Sequence, residues 1–160
     1  MRIKLGALVL LAFGLQTLVI YAGLGQLDVW GRVLFVLSYL LLFVFVWANR
    51  RHLGLAIIGV GLLLNFLPIA SNGGLMPVSP QTAIRAGVAD RLAELRLGDP
   101  IPGSKNVLLD KDDTRLQFLS DTLVLDNPVG VYAYSVGDMV IAGGLLVTLA
   151  QLLPRPRRSP

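Results

Sequence analysis

The stretch Leu64-Asn65-Phe66-Leu67-Pro68-Ile69-Ala70-Ser71-Asn72-Gly73-Gly74-Leu75-Met76-Pro77-Val78-Ser79-Pro80 divides the chain into two unlike parts. It opens inside an apolar run and closes in a loop of Gly, Pro and Asn. It sets an amide and a proline where a lipid-facing helix favours neither. Upstream the residues fall into long apolar runs. Downstream, residues 71–133 are polar, and one more apolar run follows.

Working upstream, 53–70 reads as a membrane span, with Gly54, Gly59 and Gly61 offering a face on which another helix can pack closely. Pro68 weakens its last turn. The span before it, 30–48, is apolar all round, with Trp30 and Trp47 at its ends, where indole rings anchor at headgroup level. Asn49-Arg50-Arg51-His52 forms a tight basic turn. The first apolar run, 3–22, follows Arg2 and Lys4 and is broken only by Gln16 and Thr17. At 1.5 Å per residue it approaches the ~30 Å hydrocarbon core, so we read it as a span rather than a cleaved leader, with a short turn at Gly23–Asp28.

Working downstream, Ser79-Pro80 supplies a helix N-cap and first residue. Ile84, Val88, Leu92 and Leu95 then recur at helical spacing, predicting an amphipathic helix from Pro80 to Leu97 that stops at Gly98. Val107–Leu109 and Thr122–Leu125 read as short strands around a helical turn at Thr114–Leu119, a small hairpin-like lid. The last span is 136–153. Ser135 is its N-cap, Asp138 completes the cap and faces the positive helix end, and Tyr132 and Tyr134 mark the interface. Gly143-Gly144 is a further close-packing site. Residues 154–160 form a basic, non-helical tail.

The composition agrees. The 160 residues are 54% hydrophobic and 15% charged, below the ~25% charged residues of soluble domains. Without cysteine, disulfides, thiolate metal sites and cysteine nucleophiles are excluded. The fold class predicted is an all-α integral membrane protein, one domain over 1–160, with four transmembrane helices and one large extracytoplasmic loop holding the amphipathic helix and the short hairpin. Four spans put both termini on one side, with Arg2, Lys4, Arg50, Arg51, Arg155, Arg157 and Arg158 and no acidic residue. The positive-inside rule makes that side cytoplasmic and turns 71–133 outward. The charge of +4 therefore needs no nucleic acid; the tail suits an anionic inner leaflet.

Gln16, Thr17, Asn65 and Asp138 fall at similar depth near the loop end of the spans. Polar side chains there commonly pair with one another as interhelical glue; the sharper alternative is a ligand-binding pocket formed by Gln16, Asn65, Asn72 and Asp138 and roofed by 71–133. Asp110, Asp112 and Asp113 do not match a calcium loop, which requires Gly and Glu at fixed later positions, and read as a solvated acidic turn. His52 alone is a poor metal ligand. Ser38 and Tyr39 could hydrogen-bond between helices, with no base beside them. There is no GxSxG, HExxH or P-loop pattern. No metal, cofactor or catalytic residue is expected.

The combination of Asn49-Arg50-Arg51, Leu64-Asn65-Phe66, Ser71-Asn72-Gly73-Gly74-Leu75-Met76-Pro77-Val78-Ser79, Leu109 through Leu116, Phe118-Leu119-Ser120-Asp121 and Tyr134-Ser135-Val136-Gly137-Asp138 resembles the small bacterial membrane proteins grouped as domain-of-unknown-function family 5317. The resemblance implies a bacterial protein, multi-pass in the cytoplasmic membrane, and implies no activity. The expected function is non-enzymatic: an accessory or scaffold subunit of a membrane assembly, with the lipid bilayer and a membrane-protein partner or a second copy as its contacts. The alternative is a binding module that holds a small molecule or lipid headgroup beneath the loop.

Overall fold

The computed structural model describes residues 3–21, 29–92, 94–128 and 130–153. The expected turn at Gly23–Asp28 and the basic tail at 154–160 lie outside the described residues. The chain is mostly helical. Four apolar helices form one layer: α1 Gly6–Tyr21, α2 Val29–Ala48, α3 Leu53–Ser71 and α6 Val136–Leu152. Of these, α2 and α3 are long and apolar enough to cross a membrane. The other two have 16 and 17 residues, about 24–26 Å of helix.

The helices pack in series, α1 on α2, α2 on α3 and α3 on α6. Glycine explains the closest pair. A Cβ on Gly61 would lie 2.7 Å from the Gly137 carbonyl oxygen, and one on Gly144 would lie 2.9 Å from that of Gly54. Residues 54 and 61 thus meet 144 and 137 in antiparallel order, backbone against backbone. Gly59 instead meets Val46, and Gly143 faces open space. Aromatic rings lock α2 to α3, with Tyr39 and Phe43 5.8 and 5.4 Å from Phe66. Other apolar side chains point outward: Leu10 is 77% and Leu146 69% exposed.

Pro68 does not end α3, which continues to Ser71. The carbonyls of its last turn are satisfied by side chains: the Ser71 hydroxyl donates to Leu67 O (2.8 Å) and the Asn72 amide to Pro68 O (2.7 Å). Gly73 and Gly74, at φ of 81° and 92°, then turn the chain in a conformation that a Cβ disfavours.

The segment between α3 and α6 departs from expectation in two places. The single amphipathic helix is two short ones, α4 Pro80–Arg85 and α5 Ala89–Leu92. The break is Gly87, at φ 77°: its N–H donates to Ile84 O while that of Val88 donates to Ala83 O, a Schellman stop. Three residues of the apolar stripe keep its role, since Val88, Leu92 and Leu95 pack on buried Val78, Ala83, Ile101 and Leu108; the fourth, Ile84, is 54% exposed. The hairpin also differs. Strand β2 Asn106–Leu108 pairs in parallel with β1 Met76–Val78, whereas β3 Leu123–Asn127 pairs antiparallel with β4 Gly130–Tyr134. The turn residues Asn127-Pro128 close this second pair, and the Tyr132 ring lies over Gly130. A 3-10 turn at Gln117–Leu119 falls within the expected helical turn.

Candidate functional site

At the loop end of the helix layer, polar side chains from three segments meet. On α6, Ser135 and Asp138 form a capping box: the Asp138 N–H donates to Ser135 Oγ (3.0 Å), and the Ser135 N–H donates to Asp138 Oδ2 (3.0 Å). Asn65 on α3, 2% exposed, ties into this box. It accepts from the Ser135 hydroxyl (2.5 Å) and donates to Asp138 Oδ1 (2.7 Å). Gly137 makes room for it, because a Cβ there would overlap Asn65 Oδ1. The sequence places Asn65 and Asp138 at similar depth, where polar side chains pair; the fold joins them across the α3–α6 seam.

The third contributor is Lys105. Ile101-Pro102-Gly103-Ser104 forms a turn closed by Ser104 N–H to Ile101 O (3.1 Å), with Gly103 at φ 69°, as a type II turn requires. The Lys105 carbonyl then accepts from Met76 N (3.0 Å), which starts the β1–β2 ladder and aims the side chain at the helices. Its Nζ lies 3.4 Å from both Asp121 Oδ1 and Asp138 Oδ2. Asp121 is 1% exposed and its Oδ2 accepts from the Asn106 amide at 2.8 Å. Asp121 entered the sequence reading only as part of the family resemblance, and Lys105 and Asn106 not at all: a lone lysine after a turn looks like any solvated lysine.

Electrostatics bind this group together. Burial works against the charge on Lys105, but the Asp121 and Asp138 carboxylates outweigh it and hold the ammonium above the ordinary lysine pKa. Burial pushes the Asp121 carboxyl above the ordinary aspartate range, against the pull of Lys105 and Asn106. The pair therefore depends on each member's presence, as buried charges do.

Beneath these residues lies a cavity of about 480 Å³ with walls from all four apolar helices, within the ~300–1,000 Å³ of small-molecule sites. Its body is apolar, with Phe35, Leu42, Leu62 and Ile141 among its walls, and its polar rim is Gln16, Tyr39, Asn65, Lys105 and Asp138. Tyr39 is 6% exposed and lines this space, with no hydrogen bond to its hydroxyl among the described residues. Gln16 donates to Ser38 Oγ (3.0 Å), and Ser38 to Phe35 O (2.5 Å). The side of the cavity between α1 and α6 has almost no close helix contact. Lys105, Asp138, Ile141 and Leu145 also line an open groove of about 390 Å³ beside β4.

The remaining singled-out residues lie elsewhere. Asn72 is outside the cavity: its amide donates to Arg115 O (2.8 Å) and accepts from Arg115 N (2.9 Å), pinning the loop. Thr17 is exposed. Ser79 caps α4, its hydroxyl accepting from Thr82 N at 3.2 Å. Trp30 and Trp47 stand exposed near the two ends of α2, with the Arg50 guanidinium 4.3 Å over the Trp47 ring. The Tyr132 and Tyr134 rings are edge to face, 6.5 Å apart, on β4. Asp110, Asp112 and Asp113 occupy an exposed turn, and His52 stands at the start of α3, at its opposite end. Among the described residues no cluster of three His, Cys, Asp or Glu could hold a metal. The chemistry on offer is hydrogen bonding and charge at one end of an apolar space.

The model of the family of unknown function DUF5317 matches residues 1–150, and the chain belongs to that family. No curated protein and no solved structure matches it.

Proposed function

We propose that this DUF5317 chain is a non-enzymatic, four-span membrane protein that binds an amphiphilic small molecule between its helices. The cavity carries this reading: an apolar space of about 480 Å³ that ends in Gln16, Tyr39, Asn65, Lys105 and Asp138 suits a molecule with an apolar body and a polar head. In this reading α1 and α6 cross the membrane beside α2 and α3, and their exposed leucines meet lipid. Their 16 and 17 residues fall a little short of the usual ~20, a mismatch that local thinning accommodates. The excess of Lys and Arg near both termini supports, in this reading, cytoplasmic termini and an outward-facing segment 71–133.

An accessory-subunit role is the competing proposal. It needs small-residue faces free to receive a partner helix. Gly54, Gly61, Gly137 and Gly144 are used within the chain, at the α3–α6 seam, which favours the binding role. Purification in a mild detergent followed by native mass spectrometry decides between them. The expected result is a chain carrying one retained small molecule. A stoichiometric protein partner on a chain with no retained molecule would overturn the binding role.

A further inference from the structure

The walls of the cavity are unequally covered. Its back, formed by Phe35, Leu42 and Phe45 on α2 and Leu55 and Leu62 on α3, is buried. Two lining residues are largely exposed: Phe13 on α1 at 57% and Leu145 on α6 at 50%. A side chain that lines a cavity and is also open to the outside stands at its mouth. Resting on the binding role and the four-span arrangement proposed above, we infer that this mouth lies between α1 and α6 and opens sideways into lipid. The ligand is then a molecule dissolved in the bilayer, which enters and leaves through the hydrocarbon and not from the water side.

Helix packing is the first ground. The helices pack in series, α1 on α2 and α6 on α3, so the two ends of the series leave a gap. Among the described residues no hydrogen bond or ion pair joins α1 to α6; Gln16 of α1 donates to Ser38 of α2 instead.

Depth is the second. Phe13 and Leu145 lie near the middle of α1 and α6, which is hydrocarbon depth when these helices cross a membrane. Exposure along the cavity face of α6 rises away from the loop end: Asp138 and Ile141 are half-buried and Leu145 is exposed. The open groove beside β4 shares these three residues, so it abuts the cavity along the same face.

The loop end is the third. There Asn65 is bonded to Ser135 and Asp138, and Lys105 to Asp121 and Asp138. Entry from the water side parts these groups, and an apolar body gains nothing from passing polar ones. Entry between Phe13 and Leu145 parts no polar contact among the described residues.

The test labels the full chain in phosphatidylcholine nanodiscs with trifluoromethyl-phenyl-diazirine, an uncharged photoreactive probe that dissolves in hydrocarbon. The chain is first washed in detergent until native mass spectrometry shows no retained molecule, and labelled residues are mapped by tandem mass spectrometry. Leu37 and Leu40, exposed on α2 outside the cavity, are the internal standard for contact with lipid. The expected result is labelling of Phe35, Leu42 and Leu62 on the back wall alongside that standard. In Leu145→Trp, and separately in Phe13→Trp, the larger indole narrows the mouth, and back-wall labelling relative to the standard is expected to fall about threefold or more. A back wall left unlabelled while the standard is labelled would overturn the inference. So would undiminished back-wall labelling in both variants, each shown to fold by circular dichroism. The binding role is judged separately, from the native mass spectrum before washing: a protein partner in place of a retained molecule would overturn that role and leave the mouth standing.

Discussion

Replacing Lys105 with methionine keeps most of the side chain's length and removes its charge. The loss should fall chiefly on Asp121, which is 1% exposed and would keep only the Asn106 amide at 2.8 Å as its side-chain partner. Breaking a buried ion pair from one side costs about 3–5 kcal/mol. Lys105 is 26% exposed and its contacts are 3.4 Å long, so the lower end, about 3 kcal/mol, is expected, which is about a 150-fold change in the unfolding constant. The second change, Asp121→Asn, removes the stranded charge and should restore a large part of that loss. The four chains of this cycle are to be compared by reversible unfolding in mixed micelles. The pH profile provides a second reading. The folded-state pKa of Lys105 is raised above its unfolded value, so its stabilisation is fully present below the ordinary lysine range and fades as pH rises through and beyond it. Lys105→Met should lack that alkaline decline. A neutral Lys105→Met, or a coupling near zero between the two sites, would refute the argument that the pair holds the loop to the helices.

Two further substitutions probe the frame around the site. In Gly61→Ala the new Cβ would lie 2.7 Å from both Gly137 O and Ile141 Cγ1; overpacking of this kind costs about 1–3 kcal/mol, read in the same unfolding assay. Asn72→Ala releases the Arg115 backbone, so amide exchange is expected to rise across 110–119 while ligand retention is unchanged.

The sequence made the helices legible because their apolar runs are continuous and their breaks are polar or glycine-rich. The caps at Ser79 and Ser135 were legible from local spacing alone. So was a packing role for Gly54 and Gly61, although their partner face on α6 required the fold. The strand partners were not. Val107-Leu108 reads as a strand, but nothing local says that it pairs with Met76–Val78, whose central proline argues against a strand at all. The amphipathic stripe was right about Val88, Leu92 and Leu95, but Ile84 is exposed, and it was wrong about continuity, because periodicity does not register that Gly87 adopts a positive φ. Asn65 and Asp138 stood out because they are polar near apolar runs. Lys105 and Asp121 sit in polar sequence surroundings, and Lys105 meets Asp121 and Asp138 only across 16 and 33 residues of chain. Tyr39 was noticed as a helix-pairing group; its place on a cavity rim depends on four helices at once.

The central claim, an amphiphile held between the helices, is tested most directly by filling the space. Leu62 is 7% exposed and forms part of the cavity wall, and tryptophan at this position would occupy much of the apolar end. Binding isotherms for 1-hexadecanol, measured on the unmodified chain and on Leu62→Trp in the same nanodiscs, give the answer, with circular dichroism as the check on folding. The account predicts saturable binding of one molecule per chain, weakened about tenfold or more in a folded Leu62→Trp. Equal binding by the two folded chains would contradict it.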